Sequence, residues 1–198
     1  FYVMELLQKA KQLEQAGRSI IHLEVGEPDF VTADPIVEAG IAAIRSGQVF
    51  YTPASGLPAL REAISEFYSK RYQVDVPAAR IVVTPGATGA LILALTMLLD
   101  AGQEVLMSDP GYPCNKHFVR VVDGVPKLIP VSSEGNYQLT KEQVISNWSK
   151  ATKGVLVSSP SNPTGTIMSP DVMQEIASVV RQRDGFMIVD EIYHGLTY

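Results

Sequence analysis

Apolar side chains recur at helical spacing in three segments of the first eighty residues. Such a repeat every three or four positions predicts one buried face of an amphipathic helix. Asp34 followed by Pro35 indicates a helix start, with a capping side chain and then a proline at the first helical position. Between the first two helices, residues 20–25 form a short apolar run that predicts a strand, and residues 26–30 end it as a loop.

From residue 80 onward, short apolar strands alternate with helices. Residues 87–100 are apolar on nearly all sides, which predicts a buried helix. Thr140 with Gln143 forms a capping-box pair, and Ser169 before Pro170 is another typical helix start. Strands are predicted over residues 81–84, 104–108, 125–131, 154–158 and 186–190, and the further helices over 113–122, 141–149 and 170–183. This alternation predicts a mostly parallel sheet that is covered on both faces.

Composition is that of an ordinary globular protein. The chain has 198 residues, of which 46% are apolar and 19% charged, enough for a sizeable core. Its net charge of -5 and the lack of a long basic run argue against nucleic acid as a partner. Cys114 is the single cysteine, which fits a reducing compartment. No apolar stretch approaches the roughly 20 residues that a membrane-spanning helix needs, so we expect a cytoplasmic protein without a membrane partner.

Ligands of parallel sheets bind beyond the carboxyl ends of the strands, and two loops there are suited to an anion or a ring. Residues 84–90 lead into a helix whose N-terminus could hold a phosphate, with Thr88 as a further donor, although an ordinary turn explains them equally well. A dinucleotide site is a rival because Asp109 lies near the distance of a ribose-binding acid, but the G-x-G-x-x-G fingerprint is absent. Residues 109–113 hold Tyr112 between turn residues, where its ring could stack on a ligand or pack at the surface.

Two further loops place an amide and carboxylates at strand ends. Asn162 stands between prolines, and its side chain can both donate and accept hydrogen bonds, although asparagine is also common in ordinary turns. Residues 186–189 are apolar and run into Asp190 and Glu191. A carboxylate at the tip of a buried strand needs a partner. A protonated ring nitrogen of a ligand is one such partner, and a lysine, an arginine or a helix N-terminus are others.

Six stretches of the chain, in this order, resemble the class I aminotransferases, pyridoxal-phosphate enzymes of fold type I. They are VGEPDF (25–30), YTPASGLPALR (51–61), PGAT (85–88), DPGYP (109–113), PSNPTG (160–165) and DEIY (190–193). The resemblance is to the N-terminal half of such an enzyme.

The resemblance implies an α/β fold, a three-layer sandwich with a mostly parallel sheet that is incomplete in this chain. Residues 1–30 would contribute to the small domain. Residues 31–198 would form the first part of the large cofactor-binding domain. The rest of the large domain and the C-terminal small domain are absent from this sequence.

The resemblance also implies how individual residues would hold pyridoxal 5′-phosphate. Ala87 and Thr88 would bind its phosphate through backbone and hydroxyl groups. Tyr112 would stack on the pyridine ring. Tyr51 would reach across a homodimer interface to the phosphate of the neighbouring subunit.

The remaining implied roles concern the polar edge of the cofactor ring and the substrate. Asn162 and Tyr193 would hydrogen-bond the phenolic oxygen, and Asp190 would keep the ring nitrogen protonated. Asn115 would support Asp190 from behind. Gly26 and Asn162 would bind the substrate, with Gly26 beside its carboxylate. No metal is implied.

The chain departs from the family pattern at the catalytic lysine, which in the family follows the aspartate strand and would here lie beyond Tyr198. Ser149-Lys150 resembles the lysine motif superficially but precedes the asparagine and aspartate loops, so we interpret Lys150 as a surface lysine. The C-terminal arginine that clamps the substrate carboxylate is also missing. The sequence therefore contains no catalytic residue of its own.

The missing half has consequences for the fold. In the family, the lysine strand and its antiparallel neighbour separate the strand at residues 81–84 from the others. Without them, two strand edges and a large apolar surface would be open. We therefore expect this chain to be one piece of a longer protein, and to be unstable, aggregated or self-associated when alone.

The function implied for the intact protein is transfer of an amino group between an amino acid and a 2-oxo acid. A lyase or decarboxylase with the same cofactor is an alternative, because the residues that hold the cofactor do not fix the reaction. A non-catalytic regulatory module that binds the cofactor is a second alternative. A nicotinamide oxidoreductase is a third, and the missing fingerprint counts against it.

Overall fold

The computed structural model of the protein describes residues 2–26 and 30–197. The chain divides into two compact units, Phe1–Tyr51 and Thr52–Tyr198. Most of the predicted loop at residues 26–30, with its motif, lies outside the described residues. The small-domain and large-domain boundary after residue 30 stays a prediction.

The first unit contains two helices, α1 (Tyr2–Gln15) and α2 (Asp34–Arg45). A proline lies in the first turn of α2, as predicted. Asp34 is not the capping residue, however, because the N-cap is Ala33, whose side chain accepts no hydrogen bond. Asp34 instead lies within the first turn, where its charge interacts favourably with the helix dipole.

The strand predicted over residues 20–25 does not form. A strand needs a neighbour for its backbone groups, and the described residues of this unit contain no other strand. The segment is tied to α1 through His22, which contacts Glu14 at 2.9 Å and Glu24 at 2.6 Å. Hydrogen bonds to Glu24 and then to Glu14 raise the pKa of His22.

The second unit is built on four parallel strands in the order β2-β1-β3-β4. The strands are β1 (Glu104–Asp109), β2 (Val125–Pro130), β3 (Thr152–Ser158) and β4 (Phe186–Asp190). The helices are α3 (Pro58–Tyr72), α4 (Gly86–Leu98), α5 (Asn115–Val121), α6 (Lys141–Asn147) and α7 (Pro170–Gln182), with short 3₁₀ turns at Ala78–Arg80 and Ser133–Gly135. The predicted α/β class with a parallel sheet is confirmed.

Two apolar clusters cover the two faces of this sheet. Val105 and Met107 of β1 point to one face, where they pack with Leu95 of α4 and with α5. Leu106 points to the other face, where it packs with Ile176 of α7 and with α6. Each fully buried side chain of this size contributes about 1.5–3 kcal/mol. The helices therefore form the outer layers of a three-layer sandwich.

Both helix starts predicted in the second half of the chain are present. Thr140 Oγ1 accepts from the backbone N–H of Gln143 at 3.3 Å, and Gln143 Oε1 accepts from the N–H of Thr140 at 3.0 Å. Ser169 Oγ accepts from the N–H of Val172 at 3.3 Å. No helix in the described part of the chain is both long and apolar enough to span a membrane.

The strand predicted at residues 81–84 is extended but unpaired. Within this segment, the N–H of Val83 donates to the carbonyl of Ser55 at 3.0 Å. The side chain of Val82 is 52% exposed. A single such bond does not make a ladder, and no strand among the described residues lies alongside.

The prediction that the apolar helix is wholly buried is also wrong. Only Leu91 and Leu95 of α4 are buried. Leu93 and Met97 on its other face are 45% and 78% exposed, because no element of the described chain covers them. β4 is likewise an open edge of the sheet. The expected open edge is therefore present at β4 and the expected apolar surface at α4, whereas residues 81–84, the second expected edge, form no strand.

Candidate functional site

The crevice of this sheet lies at the carboxyl ends of β1 and β3. The chain leaves β1 through α5 to reach β2 on one side, and leaves β3 through α7 to reach β4 on the other. Because α5 and α7 cover opposite faces, the loops diverge between these strand ends. Ligands of open parallel sheets bind at such a switch point. A cavity of about 180 Å³ opens there.

Six residues predicted for cofactor binding line this one cavity, although they come from four separate loops. They are Ala87, Thr88, Tyr112, Asn162, Asp190 and Tyr193. For the residues after β1, β3 and β4 this convergence follows from the parallel sheet, since the loops after parallel strands meet at the same edge. Ala87 and Thr88 instead reach the cavity because α4 packs on one face of the sheet.

Five further lining residues were missed by the sequence analysis: Leu91, Phe118, Ser158, Pro160 and Ile192. Helical spacing could have identified Leu91, which lies one turn beyond Ala87 and Thr88. Nothing local marks Phe118, because its approach to the cavity depends on how α5 packs on the sheet.

The N-terminus of α4 forms one wall of the cavity and has no side-chain cap. Its N-cap is Pro85, which has no side-chain oxygen to accept from the helix, whereas α6 and α7 are capped by the side chains of Thr140 and Ser169. The first-turn N–H groups of a helix have no intrahelical acceptor and carry partial positive charge. The wall is therefore suited to a phosphate group.

Glycines allow this turn to be tight. Gly86 has φ +72°, a left-handed conformation that favours glycine. A Cβ on Gly89 would lie 3.0 Å from Pro85 Cδ. Thr84 Oγ1 donates to the carbonyl of Gly86 at 2.9 Å, which fixes the start of the helix from the strand side.

Asp190 ends β4 directly opposite Ser158 of β3. Its Oδ1 accepts from the backbone N–H of Ile192 at 3.1 Å. Among the described residues, no lysine, arginine or histidine forms an ion pair with it. A cationic group bound in the cavity would stabilise the charged form of this partly buried carboxylate.

The side chains of Asn162 and Tyr193 approach each other at the wall of the cavity. Asn162 Nδ2 donates to Tyr193 Oη at 3.5 Å, which is the long limit of a hydrogen bond. Because their mutual hydrogen bond is so long, both groups can bond to a ligand oxygen that lies beside the pair.

Tyr112 presents a phenol that stays neutral at physiological pH. A hydrogen bond to Cys114, then burial, then the nearby Tyr193 and Asp190, raise its pKa to about 12. Its ring is partly buried at the cavity wall, in a position where a flat ligand could stack on it.

Asn115 lies in a smaller neighbouring cavity of about 50 Å³, which shares Tyr112 and Ser158 with the larger one. It is 6% exposed, and its Oδ1 has no hydrogen-bond partner in the described chain. No hydrogen bond joins it to Asp190 in this structure, so its supporting role stays a prediction.

Gly26 and Tyr51 belong to the first unit, and their predicted roles stay predictions. Tyr51 has a fully exposed side chain. Lys150 is exposed, as expected of a surface lysine, and precedes the amino end of β3. The length of that strand separates it from the cavity by about 20 Å.

Comparison with known proteins agrees with this geometry. The model of the family "Aminotransferase class I and II" matches residues 18–198. The chain is 38% identical, over its whole length and 50% of the relative, to a (5-formylfuran-3-yl)methyl phosphate transaminase of Methanocaldococcus jannaschii. It is 35% identical, over 98% of the chain and 50% of the relative, to an aspartate aminotransferase of Geobacillus stearothermophilus.

A crystal structure of an aminotransferase from Mycobacterium tuberculosis superposes with a TM-score of 0.95 at 34% identity, covering all of this chain and 51% of that one. The chain spans about half the length of the curated relatives it matches. Together, the match of the family over most of the sequence and the parallel sheet with its loop cluster identify the chain as a member of the class I and II aminotransferase family.

Proposed function

We propose that the chain forms the cofactor-binding half of a pyridoxal-phosphate-dependent aminotransferase, which moves an amino group between an amino acid and a 2-oxo acid. The observation that carries this proposal is the convergence of three chemically distinct features on one cavity. They are the uncapped N-terminus of α4, the flat wall formed by Tyr112, and the unpaired carboxylate of Asp190.

These features match the three parts of the cofactor. The α4 N-terminus with Thr88 suits the phosphate, Tyr112 suits a face of the ring, and Asp190 suits a protonated ring nitrogen. Asn162 and Tyr193 provide an amide and a hydroxyl for the phenolic oxygen.

When bound, pyridoxal phosphate supplies an electron sink for a carbanion at the substrate α-carbon. The contribution of this chain is to orient and polarise the ring. Asp190 would hold a proton on the ring nitrogen, and Tyr112 would restrict the ring to one plane. The low polarity of Leu91 and Phe118 would limit water in the cavity.

The named relatives are transaminases, which favours transamination over the lyase and decarboxylase alternatives. A homodimer is part of the proposal, through the exposed Tyr51, as is a cytoplasmic location.

The phosphate site is tested by calorimetric titration of a longer protein that contains this chain with pyridoxamine 5′-phosphate, a ligand that needs no Schiff-base lysine. Affinity should fall at least about tenfold for pyridoxamine without phosphate, because the charge-assisted hydrogen bonds are lost. Thr88→Val should weaken binding of the phosphorylated ligand. Thr96→Val is the matched control, since its hydroxyl bonds within the same helix, to Ile92 O. Equal affinity for both ligands would contradict the proposal.

The reaction is tested on a longer protein that contains this chain. Loaded with pyridoxamine 5′-phosphate, it should convert a 2-oxo acid to the amino acid in a single turnover. With pyridoxal phosphate supplied instead, release of carbon dioxide or of a side-chain fragment from an amino acid would indicate a decarboxylase or lyase.

A further inference from the structure

We infer that His194, stacked on Tyr72, is a positioning residue that sets the hydroxyl of Tyr193 against the phenolic oxygen of the cofactor. This inference rests on the proposed function and concerns the hydroxyl-binding part of the same site. His194 does not line the cavity, so any effect it has on the ligand must pass through Tyr193.

The turn after β4 that carries Tyr193 receives little support from the sheet. β4 is an edge strand, and the turn has only local backbone bonds, from the N–H of His194 to Glu191 O at 2.8 Å and from that of Leu196 to Tyr193 O at 3.0 Å. Its residues are exposed. Such a turn needs an anchor outside itself if its side chains are to hold one position.

Tyr72 offers a rigid anchor at the C-terminal end of α3. Its ring packs edge-on against Tyr68 and Phe67, with centroid distances of 5.6 and 5.7 Å. Edge-to-face packing at these distances is favourable for aromatic rings. The helix ends directly after it, at Gln73 with φ 58°, and the side chain of Tyr72 is partly exposed.

His194 and Gly195 contact this anchor. The imidazole of His194 lies 4.6 Å from the ring centre of Tyr72, tilted by 39°. A Cβ placed on Gly195 would be 3.3 Å from Tyr72 Oη. The close approach and the φ of +85° at Gly195 show that the turn is seated on Tyr72.

Tyr193 therefore stands between two fixed points. On one side, Asp190 Oδ1 holds the N–H of Ile192 at 3.1 Å, and on the other His194 rests on Tyr72. The distance of 3.5 Å between Asn162 Nδ2 and Tyr193 Oη leaves no margin, because a small outward movement of the turn would separate the pair. Loss of the stack should thus weaken recognition of one atom of the ligand and leave the rest of the site intact.

The test uses a longer protein that contains this chain and compares its affinities for pyridoxamine 5′-phosphate and for the 3-deoxy analogue, which lacks the phenolic oxygen. Wild type should prefer the hydroxylated ligand roughly tenfold, as expected for hydrogen bonds to a charged oxygen. His194→Ala should reduce this preference several-fold and leave affinity for the 3-deoxy analogue unchanged. His194→Phe, which retains a stacking ring, should restore the preference. His117→Ala, at an exposed histidine of α5, should behave as wild type.

Coupling to Tyr193 is the decisive part of the design. Tyr193→Phe should remove the preference, and adding His194→Ala to it should cause no further loss, because both changes act on one contact. Additive losses, or a full preference in His194→Ala, would overturn the inference while leaving the proposed function standing. A uniform loss of affinity for both ligands would also overturn it, since that indicates a general structural role. If wild type bound both ligands equally, the proposed hydrogen bonds from Asn162 and Tyr193 to the phenolic oxygen would be contradicted. The role inferred for His194 would then be contradicted as well.

Discussion

The carboxylates at the two ends of the sheet differ in their hydrogen-bond and ion-pair partners. At the amino end, Glu104 of β1 accepts from Ser149 Oγ at 2.7 Å and from Thr152 Oγ1 at 2.9 Å, with Lys127 Nζ at 3.5 Å. At the carboxyl end, Asp190 accepts one backbone N–H and has no cationic partner among the described residues.

The difference separates stabilising groups from groups available to a ligand. A carboxylate with its hydrogen bonds made within the protein contributes to folding, and its removal leaves donors without acceptors. A carboxylate left without a cation contributes little to folding but can bind one strongly. We therefore expect substitutions at the two ends to affect different measurements.

The largest expected effect is that of Asp190→Asn on ligand binding. Affinity for pyridoxamine 5′-phosphate should fall about tenfold to a hundredfold, because a hydrogen bond to a charged group is lost. The free energy of unfolding should change by less than about 0.5 kcal/mol. Calorimetry and urea unfolding measure the two quantities. Asp184→Asn, at an exposed carboxylate near the opposite end, is the control, and a large loss of stability in Asp190→Asn would break the comparison.

Glu104→Ala should show the reverse pattern. Three polar side chains lose their acceptor, so the free energy of unfolding should fall by about 1–2 kcal/mol. Fluorescence of Trp148, the single tryptophan, reports the unfolding. Affinity for pyridoxamine 5′-phosphate should remain that of wild type. Glu175→Ala on the exposed surface of α7 should leave both quantities unchanged.

The same network predicts how stability depends on pH. The hydrogen bond from Ser149, followed by that from Thr152 and the charge of Lys127, lowers the pKa of Glu104 below its ordinary value of 4.5. A lowered folded-state pKa contributes stability that is present above 4.5 and is lost as pH falls through the folded-state value. Urea unfolding below pH 4.5 should therefore show a steeper loss in wild type than in Glu104→Gln. Equal slopes would contradict this assignment.

The smallest expected effect is at Tyr112. Its pKa of about 12 is raised first by the hydrogen bond to Cys114. Cys114→Ala should lower that pKa toward its ordinary value of 10.0, and Cys114→Ser should lower it as well, because a serine hydroxyl can accept the hydrogen bond but does not supply the charge of the cysteine. Ultraviolet titration at alkaline pH, with Tyr112→Phe subtracted, isolates this phenol from the other tyrosines.

Local signals explain which parts of the fold could be predicted from the sequence. β1 to β4 were predicted within two residues of their observed bounds, because apolar runs between turn residues describe buried parallel strands. The Thr140 capping box was predicted because its partners are three residues apart. Residues 20–25 and 81–84 have the same apolar pattern as the strands but lack a neighbouring strand in the described chain. A local sequence pattern does not show whether such a neighbour is present.

In the candidate site too, local signals predicted some residues and missed others. Tyr112, Asn162 and Asp190 were found because each ends a predicted strand, and parallel strands place their carboxyl ends at one edge. The stacking of Tyr72 on His194 could not be found, because its two residues are far apart in sequence and share no motif. Contacts of that kind depend on how α3 packs, which periodicity does not determine.

The most direct test of the cavity as a cofactor site is the protonation state of the ligand ring. It is measured by ¹⁵N nuclear magnetic resonance on ring-labelled pyridoxamine 5′-phosphate bound to a longer protein that contains this chain. With Asp190 beside it, the ring nitrogen should keep its proton well above the pH at which the free ligand loses it, and Asp190→Asn should abolish that difference. A bound ring nitrogen that loses its proton at the same pH as the free ligand would contradict the assignment of Asp190 and, with it, the proposed function of the cavity.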